Sequence, residues 1–418
     1  MILRIDGRVE IPCQIPTKND LIDVNRVLHE RHLVFASLVG KDADQANDIL
    51  ASKVYFSGVH GGSDGFWINL KPVEPLLIKT AINISEQVGV HYGLSNFYFL
   101  GCEATRTDDG FKVDKFRSSI RRFDMLFKQH EDFDDIIATL EESGKVLLTS
   151  ELIVHTEPDR LEELDRVVMD ALLLLSFATG SWIGIIYRDV LNDRGLIESR
   201  FGGSKLLPYR HFDFVINARN MNGCQLKEYL ERSYPAFLSI KASLGIDTVL
   251  EWTVSAKLGS HLEITYLVTE LALESLASHI PQYLEEKGIK VQSGSVKATR
   301  AEITNVLANR KYELPTDILD EIASVVSSKE VGLRDRLRAL LQYEKISFRE
   351  DELEFTRVRS QLIHTGRFQN YAESMTEYQR LANFVNRIVL SLLGCYGLLY
   401  FNVAEGYVEE PVPSPSGA

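Results

Sequence analysis

Hydrophobic and polar positions along this chain fall into two textures. Over the first 150 residues, short runs of β-branched and aromatic residues alternate with polar turns. That pattern predicts strands over residues 2–5, 54–59, 66–70, 96–100 and 145–148. Helical periodicity predicts helices over 78–87 and 121–140. From Pro158 onward the texture shifts toward helix. Residues 159–176 have a polar front and an apolar back half, and Thr179-Gly180-Ser181 marks a break before a buried strand over 182–187. In residues 226–244, Leu226, Tyr229, Leu230, Phe237 and Ile240 form a helical stripe that Pro235 should break or restart. Beyond Leu250 nearly everything reads as helix: 262–287 with Pro281 as a late kink, then 300–307, 315–326, 332–341, 349–364 and 375–401. Antiparallel helices joined by short loops predict a helix bundle.

Composition changes this picture little. The 418 residues suffice for two or three domains, and 45% hydrophobic with 25% charged residues is ordinary for globular protein. The net charge of −13 argues against a surface coated in cations for non-specific nucleic-acid binding. Between Val331 and Arg380 the balance is near neutral, which leaves room for a local basic cleft. Cys13, Cys102, Cys224 and Cys395 are scattered without ligand spacing, so neither a metal site nor a cofactor is expected. Asp170 and the break at residues 179–181 interrupt the apolar run 167–187, so a core helix is expected there and not a membrane span. The opening Met1-Ile-Leu-Arg-Ile-Asp-Gly reads as a strand and turn and not as a leader, which predicts a cytoplasmic protein with no membrane partner.

Two glycine-rich turns, His60-Gly-Gly-Ser-Asp-Gly65 and Gly202-Gly-Ser-Lys205, match no phosphate-loop pattern, and the first is expected to be a hairpin turn. His155 and His211 are isolated and expected to be structural or surface histidines. The candidate chemistry lies in Arg357-Val-Arg359-Ser-Gln-Leu-Ile-His364-Thr-Gly366. Arginine is a permanent planar cation suited to phosphate, and histidine exchanges protons near neutral pH. Together they could cleave a phosphodiester without metal. Positions 359 and 364 on a continuous helix stand ~140° apart, so His364 must swing back at the helix end to share a cleft with Arg359. The structural alternative makes Arg359 an ion-pair partner of Glu352 or Glu354, and His364 a group facing the helix dipole.

The order of elements resembles the HEPN superfamily, and within it the ApeA-like HEPN proteins of bacteria. The resemblance is carried by Ala272-Leu-Glu274-Ser-Leu276, by Leu333-Arg-Asp-Arg-Leu-Arg-Ala-Leu-Leu341, by the Arg359–His364 helix end, and by the final Arg387-Ile-Val-Leu-Ser-Leu-Leu-Gly394-Cys-Tyr-Gly397. It covers about residues 255–400, and the middle region is similar to the segment that often precedes this domain. Ser360 stands where Asn, Asp or His is commoner in the family signature.

The resemblance implies an endoribonuclease in which the RNA 2′-hydroxyl attacks the adjacent phosphate. His364 would be the general acid or base and Arg359 would stabilise the phosphate. It further implies homodimerisation across the site and a role in anti-phage defence, of abortive-infection or toxin kind. Arg357, Ser360, Thr365, Arg367 and Glu274 are secondary candidates for contacting RNA, with Glu274 equally able to pair with a buried arginine. The alternative is a non-catalytic HEPN module that binds RNA or dimerises.

The expected fold class is therefore an α+β N-terminal region followed by an all-α HEPN-like helical bundle. The expected domains are a mixed α+β domain over 1–150 with an unknown trigger, an α+β middle region over 151–254 that is either separate from it or continuous with it, a HEPN-like helical domain over 255–402, and a flexible tail over 403–418.

Overall fold

The computed structural model describes residues 36–41, 47–62, 65–72, 76–80, 87–107, 110–143, 146–201, 207, 214–218, 224–259, 261–289, 291, 331–368, 370–406 and 408–415. The expected strand at 2–5, the helices at 300–307 and 315–326, and the turn at 202–205 lie outside them. The chain divides into two compact units. The first is Met1–Phe212 with Ala218–Glu231; the second is Asp213–Asn217 with Arg232–Ala418.

The first unit is built on an eleven-stranded antiparallel sheet. Its strands are β1 (Ala36–Lys41), β2 (Asn47–Gly62), β3 (Gly65–Pro72), β4 (Leu76–Thr80), β5 (Val88–Ser95), β6 (Glu103–Thr107), β7 (Gly110–Ile120), β8 (Phe123–Gln129), β9 (Leu148–Thr156), β10 (Gly184–Asn192) and β11 (Gly195–Phe201). They lie in the order β1-β2-β4-β11-β10-β5-β9-β8-β7-β6, with β3 paired to β2. Gly62 and Gly65 pair across the β2–β3 hairpin, as the glycine-rich turn predicted.

Alternation gives the sheet one buried face. Val88, Val90, Tyr92 and Leu94 on β5, Leu152 and Val154 on β9, and Met125 and Phe127 on β8 are all buried. Helix α1 (Phe133–Ser143) lies between β8 and β9, and α2 (Leu161–Thr179) between β9 and β10. Tyr92 donates a 2.7 Å hydrogen bond to Asp165 on α2, which places that helix over the buried face. Arg188 of β10 lies beneath it, 6% exposed, bonded at 2.8 Å to both Asp165 and Glu198. Gly180 ends α2 in a left-handed conformation, at the predicted break. No helix among the described residues is long and apolar enough to cross a membrane.

The second unit contains α3 (Cys224–Leu244) from Arg232 onward, α4 (Ile246–Ala256), α5 (Leu262–Glu286), α6 (Leu333–Tyr343), α7 (Phe355–Thr365) and α8 (Tyr371–Leu392). Helix α5 is central and touches α4, α6, α7 and α8. Pro235 and Pro281 sit inside α3 and α5 without ending either.

The expected fold class is corrected here. The chain is a mixed α/β protein, not an α+β region followed by an all-α HEPN bundle. Seven antiparallel strands, β5 to β11, run from Val88 to Phe201 and carry the sheet well into the region whose texture turns helical. The second unit is not all helix either. Helix α8 stops at Leu392, Gly394 and Gly397 take positive φ of 70° and 77°, and the chain turns into β12 (Leu399–Asn402). Strand β12 pairs with β13 (Val408–Pro411), inside the stretch read as a tail. An apolar run over 388–401 hid this turn, because buried Leu398 and Tyr400 continue the helical hydrophobic pattern.

Candidate functional site

Helix α7 carries most of the candidate residues. Its first turn is entered through the 3-10 segment Glu350–Glu354, whose Glu352 side chain accepts from the Arg349 N–H in a capping box. Buried Phe355 and Leu362, seven positions apart, anchor one stripe of α7 to the unit. Gly366 closes the helix at φ 71°, its N–H donating to the Leu362 carbonyl at 2.7 Å. Thr365 is the last helical residue, and its hydroxyl donates to the Arg367 carbonyl at 2.8 Å.

Arg359 turns toward α5. Its guanidinium Nε lies 3.4 Å from Glu270 Oε2, and Nη1 contacts Glu274 Oε1. Those carboxylates stand one turn apart on α5, so one arginine spans both. It does not pair with Glu352 or Glu354: Glu352 holds Arg387 at 2.6 Å and Glu354 holds Arg334 at 2.6 Å.

Glu270 is only 1% exposed and neither of its oxygens accepts a hydrogen bond. Burial pushes its carboxyl up to about 8; Arg359 opposes that and the Glu274 charge adds to it. One turn earlier, Tyr266 donates to the Phe355 carbonyl at 3.2 Å and packs edge-on against Phe368. Burial, then Glu270 and Glu377, push its phenol well above the ordinary range. Glu263 accepts from the Phe368 N–H at 3.5 Å. Glu263, Tyr266, Glu270 and Glu274 thus form one edge of α5, facing α7 and the loop after it.

The helix places His364 elsewhere. It is exposed in the last turn, with Ser360 and Arg357 four and seven positions before it on the same face, and both are exposed. Thr365 and Arg367 are exposed beside it. Because α7 continues through Thr365, His364 does not swing back, and Arg359 and His364 stay on faces ~140° apart. The structure brings Arg359 together with Glu274 and groups Arg357, Ser360 and His364. It does not bring Arg359 and His364 into one cleft of a single chain.

No protein-family model, curated protein or solved structure matches this chain. No group of three or more metal-ligating side chains forms among the described residues.

Glu270 was not singled out from the sequence. A signal was present, since an acid interrupts a stretch in which Ala272, Leu273, Leu276 and Ala277 are all buried. A charged side chain on the apolar stripe of a long helix must find a partner or hold a proton.

Proposed function

We propose that this chain is a metal-independent endoribonuclease, HEPN-like in its chemistry, acting from the exposed end of α7. The carrying observation is an exposed histidine on the same helix as an arginine whose orientation is already set, on a face ~140° away. His364 is exposed with Arg357 and Arg367 near it, and Arg359 is one-third exposed and held by two carboxylates.

In this reading His364 takes the proton of a ribose 2′-hydroxyl as its oxygen attacks the adjacent phosphorus. The bond to the 5′-oxygen breaks, and that oxygen leaves with a proton. A 2′,3′-cyclic phosphate and a 5′-hydroxyl result. Such proton transfer contributes about 10²–10⁴-fold. Arg359 stabilises charge on the phosphate oxygens. Glu270 is a positioning residue, since it reaches the reaction only through Arg359.

One helix cannot aim both groups into one cleft, so the reading requires two copies, each supplying one side. Ile363 beside His364 is 58% exposed, and Ile264 and Leu271 on α5 are exposed as well, which favours a covered surface nearby. A role in anti-phage or toxin-like defence, with the first unit as the trigger-sensing part, belongs to the same proposal.

The test incubates purified protein with structured RNA in excess chelator, beside His364→Ala and Arg359→Lys, and analyses the ends and the oligomeric state by light scattering. Cleavage with cyclic-phosphate ends by a dimer, lost in both variants, supports the reading. Metal-dependent cleavage, or equal cleavage by the variants, sinks it. A second reading, an RNA-binding or dimerisation module without catalysis, is favoured by the engagement of Arg359 with Glu270 and Glu274. RNA binding without cleavage would select it.

A further inference from the structure

The face of the first unit's sheet opposite its buried core carries a feature that the nuclease reading does not use. A cavity of about 370 Å³ is lined by Gln87, Gly89, His91, His155, Leu191, Asn192 and Asp193. That volume lies within the ~300–1,000 Å³ range of small-molecule sites.

Pairing register explains its shape. His155 on β9 stands opposite Gly89 on β5, and His91 is two residues along the same strand. All three therefore share one face of the sheet. Gly89 has no side chain, and the position its Cβ would take lies 3.5 Å from the His155 ring and 3.9 Å from that of His91. Two imidazoles therefore border one floor on which Gly89 places no side chain.

The rim of the cavity is the β10–β11 turn. There the Arg194 N–H donates to Asn192 Oδ1 at 2.9 Å, which leaves the Asn192 NH2 to donate into the cavity. The Asp193 carboxylate beside it can only accept. Behind His91, Asp189 stands opposite in register and accepts a hydrogen bond from the Ser199 hydroxyl, so it is already engaged. Among the described residues, no arginine or lysine lines the cavity.

This chemistry selects a ligand class. With no arginine or lysine among the described lining residues, and with Asp193 at the rim, a phosphate or other anion is disfavoured. Two imidazole rings bordering one floor suit a planar ring, as aromatic side chains and histidines do for bases. A donor beside an acceptor suits a ring edge presenting the complementary pair, as nucleobases do.

We propose that this cavity binds a nucleobase, free or as a nucleoside, between His91 and His155, with Asn192 and Asp193 reading its hydrogen-bonding edge. The site stands independently of the nuclease reading.

Saturation-transfer NMR on the full chain, with adenosine, guanosine, cytidine and uridine and their 5′-monophosphates as probes, tests this. The expected result is saturation of base protons above ribose protons for at least one nucleoside, with a Kd of about 1 mM or tighter and no gain from the phosphate. His155→Ala changes an exposed side chain, and Gly89→Val places a strand-favouring residue on the floor. Each should weaken binding about tenfold or more. The proposal is overturned if no nucleoside binds, if the monophosphates bind much more tightly, if zinc is required, or if both folded variants bind as the parent does.

Discussion

Glu270 and Arg359 couple proton uptake to the α5–α7 contact, and the sign of that coupling follows from burial. The folded-state carboxyl of Glu270 titrates near 8, against 4.5 for an ordinary glutamate. The folded chain therefore holds a proton there that the unfolded chain has already lost. Stability from this group is full below pH 4.5 and is lost as pH rises through about 8. Glu270→Gln should make the second unit more resistant to urea at pH 9, by roughly 2–4 kcal/mol, with little change at pH 4. Equal pH dependence in parent and variant would count against a protonated Glu270. His364→Ala changes an exposed residue, so thermal stability should stay within about 0.5 kcal/mol while cleavage falls about 100-fold or more. Arg359→Ala is a poorer probe, because it also removes the side chain that ties α7 to Glu270 and Glu274 on α5. At this scale the sequence was half legible. It offered Glu274 as a possible arginine partner, which the structure provides in Arg359. It could not distinguish Glu270 from the many charges on solvated helix faces, because burial is settled by α7, ninety residues away.

Helix α7 owes its end to one backbone conformation. Gly366 sits at φ 71° with open space around its would-be side chain, so Gly366→Ala meets no clash and suffers only the left-handed penalty of about 1 kcal/mol. Circular dichroism and urea midpoints should show that loss, together with a displaced His364. No loss would mean that the cap contributes nothing. Elements were legible where one period ruled. The expected strands 54–59 and 66–70 fall inside β2 and β3, and residues 226–244 and 262–287 lie almost wholly in α3 and α5. They were illegible where two periods overlapped. The expected helix at 121–140 is a turn with Arg121 at φ 56°, then β8, then α1. Phe123, Met125 and Phe127 alternate inward as a strand requires, while Phe123, Leu126 and Phe127 also fit a helical stripe. Residues 76–80 form β4 within the stretch around the expected helix at 78–87, since an edge-to-edge pairing with β2 and β11 overrides local periodicity. Phe97 and Phe99, expected in a strand, lie in a loop and are buried by edge-to-face packing, Phe97 on Phe127 and Phe99 on Phe116.

Each unit of the whole molecule is held by a few non-local polar contacts. In the first, buried Arg188 joins Asp165 and Glu198, and one nitrogen of its guanidinium has no partner. Arg188→Met removes the buried cation and leaves Asp165 and Glu198 with only the more exposed Arg200, at a cost of about 3 kcal/mol in urea unfolding. Restoring neutrality with Asp165→Asn and Glu198→Gln in the same chain should recover most of it, and failure to recover would mean that packing dominates. Such contacts escape sequence reading because strand order escapes it: β5 pairs with β9 and β10, and β4 with β11, across long intervening stretches. The second unit is discontinuous too. Val215, more than 180 residues upstream, accepts from the Phe401 N–H, and Asn217 donates to Glu409. Leu398 and Gly397 are tied to Val412. During synthesis at ~5–20 residues per second, residues 213–217 leave the ribosome roughly 10–40 s before the strand that completes them. The second unit therefore cannot close until residues 397–412 have emerged, so a nascent chain shorter than that carries α7 without its finished scaffold.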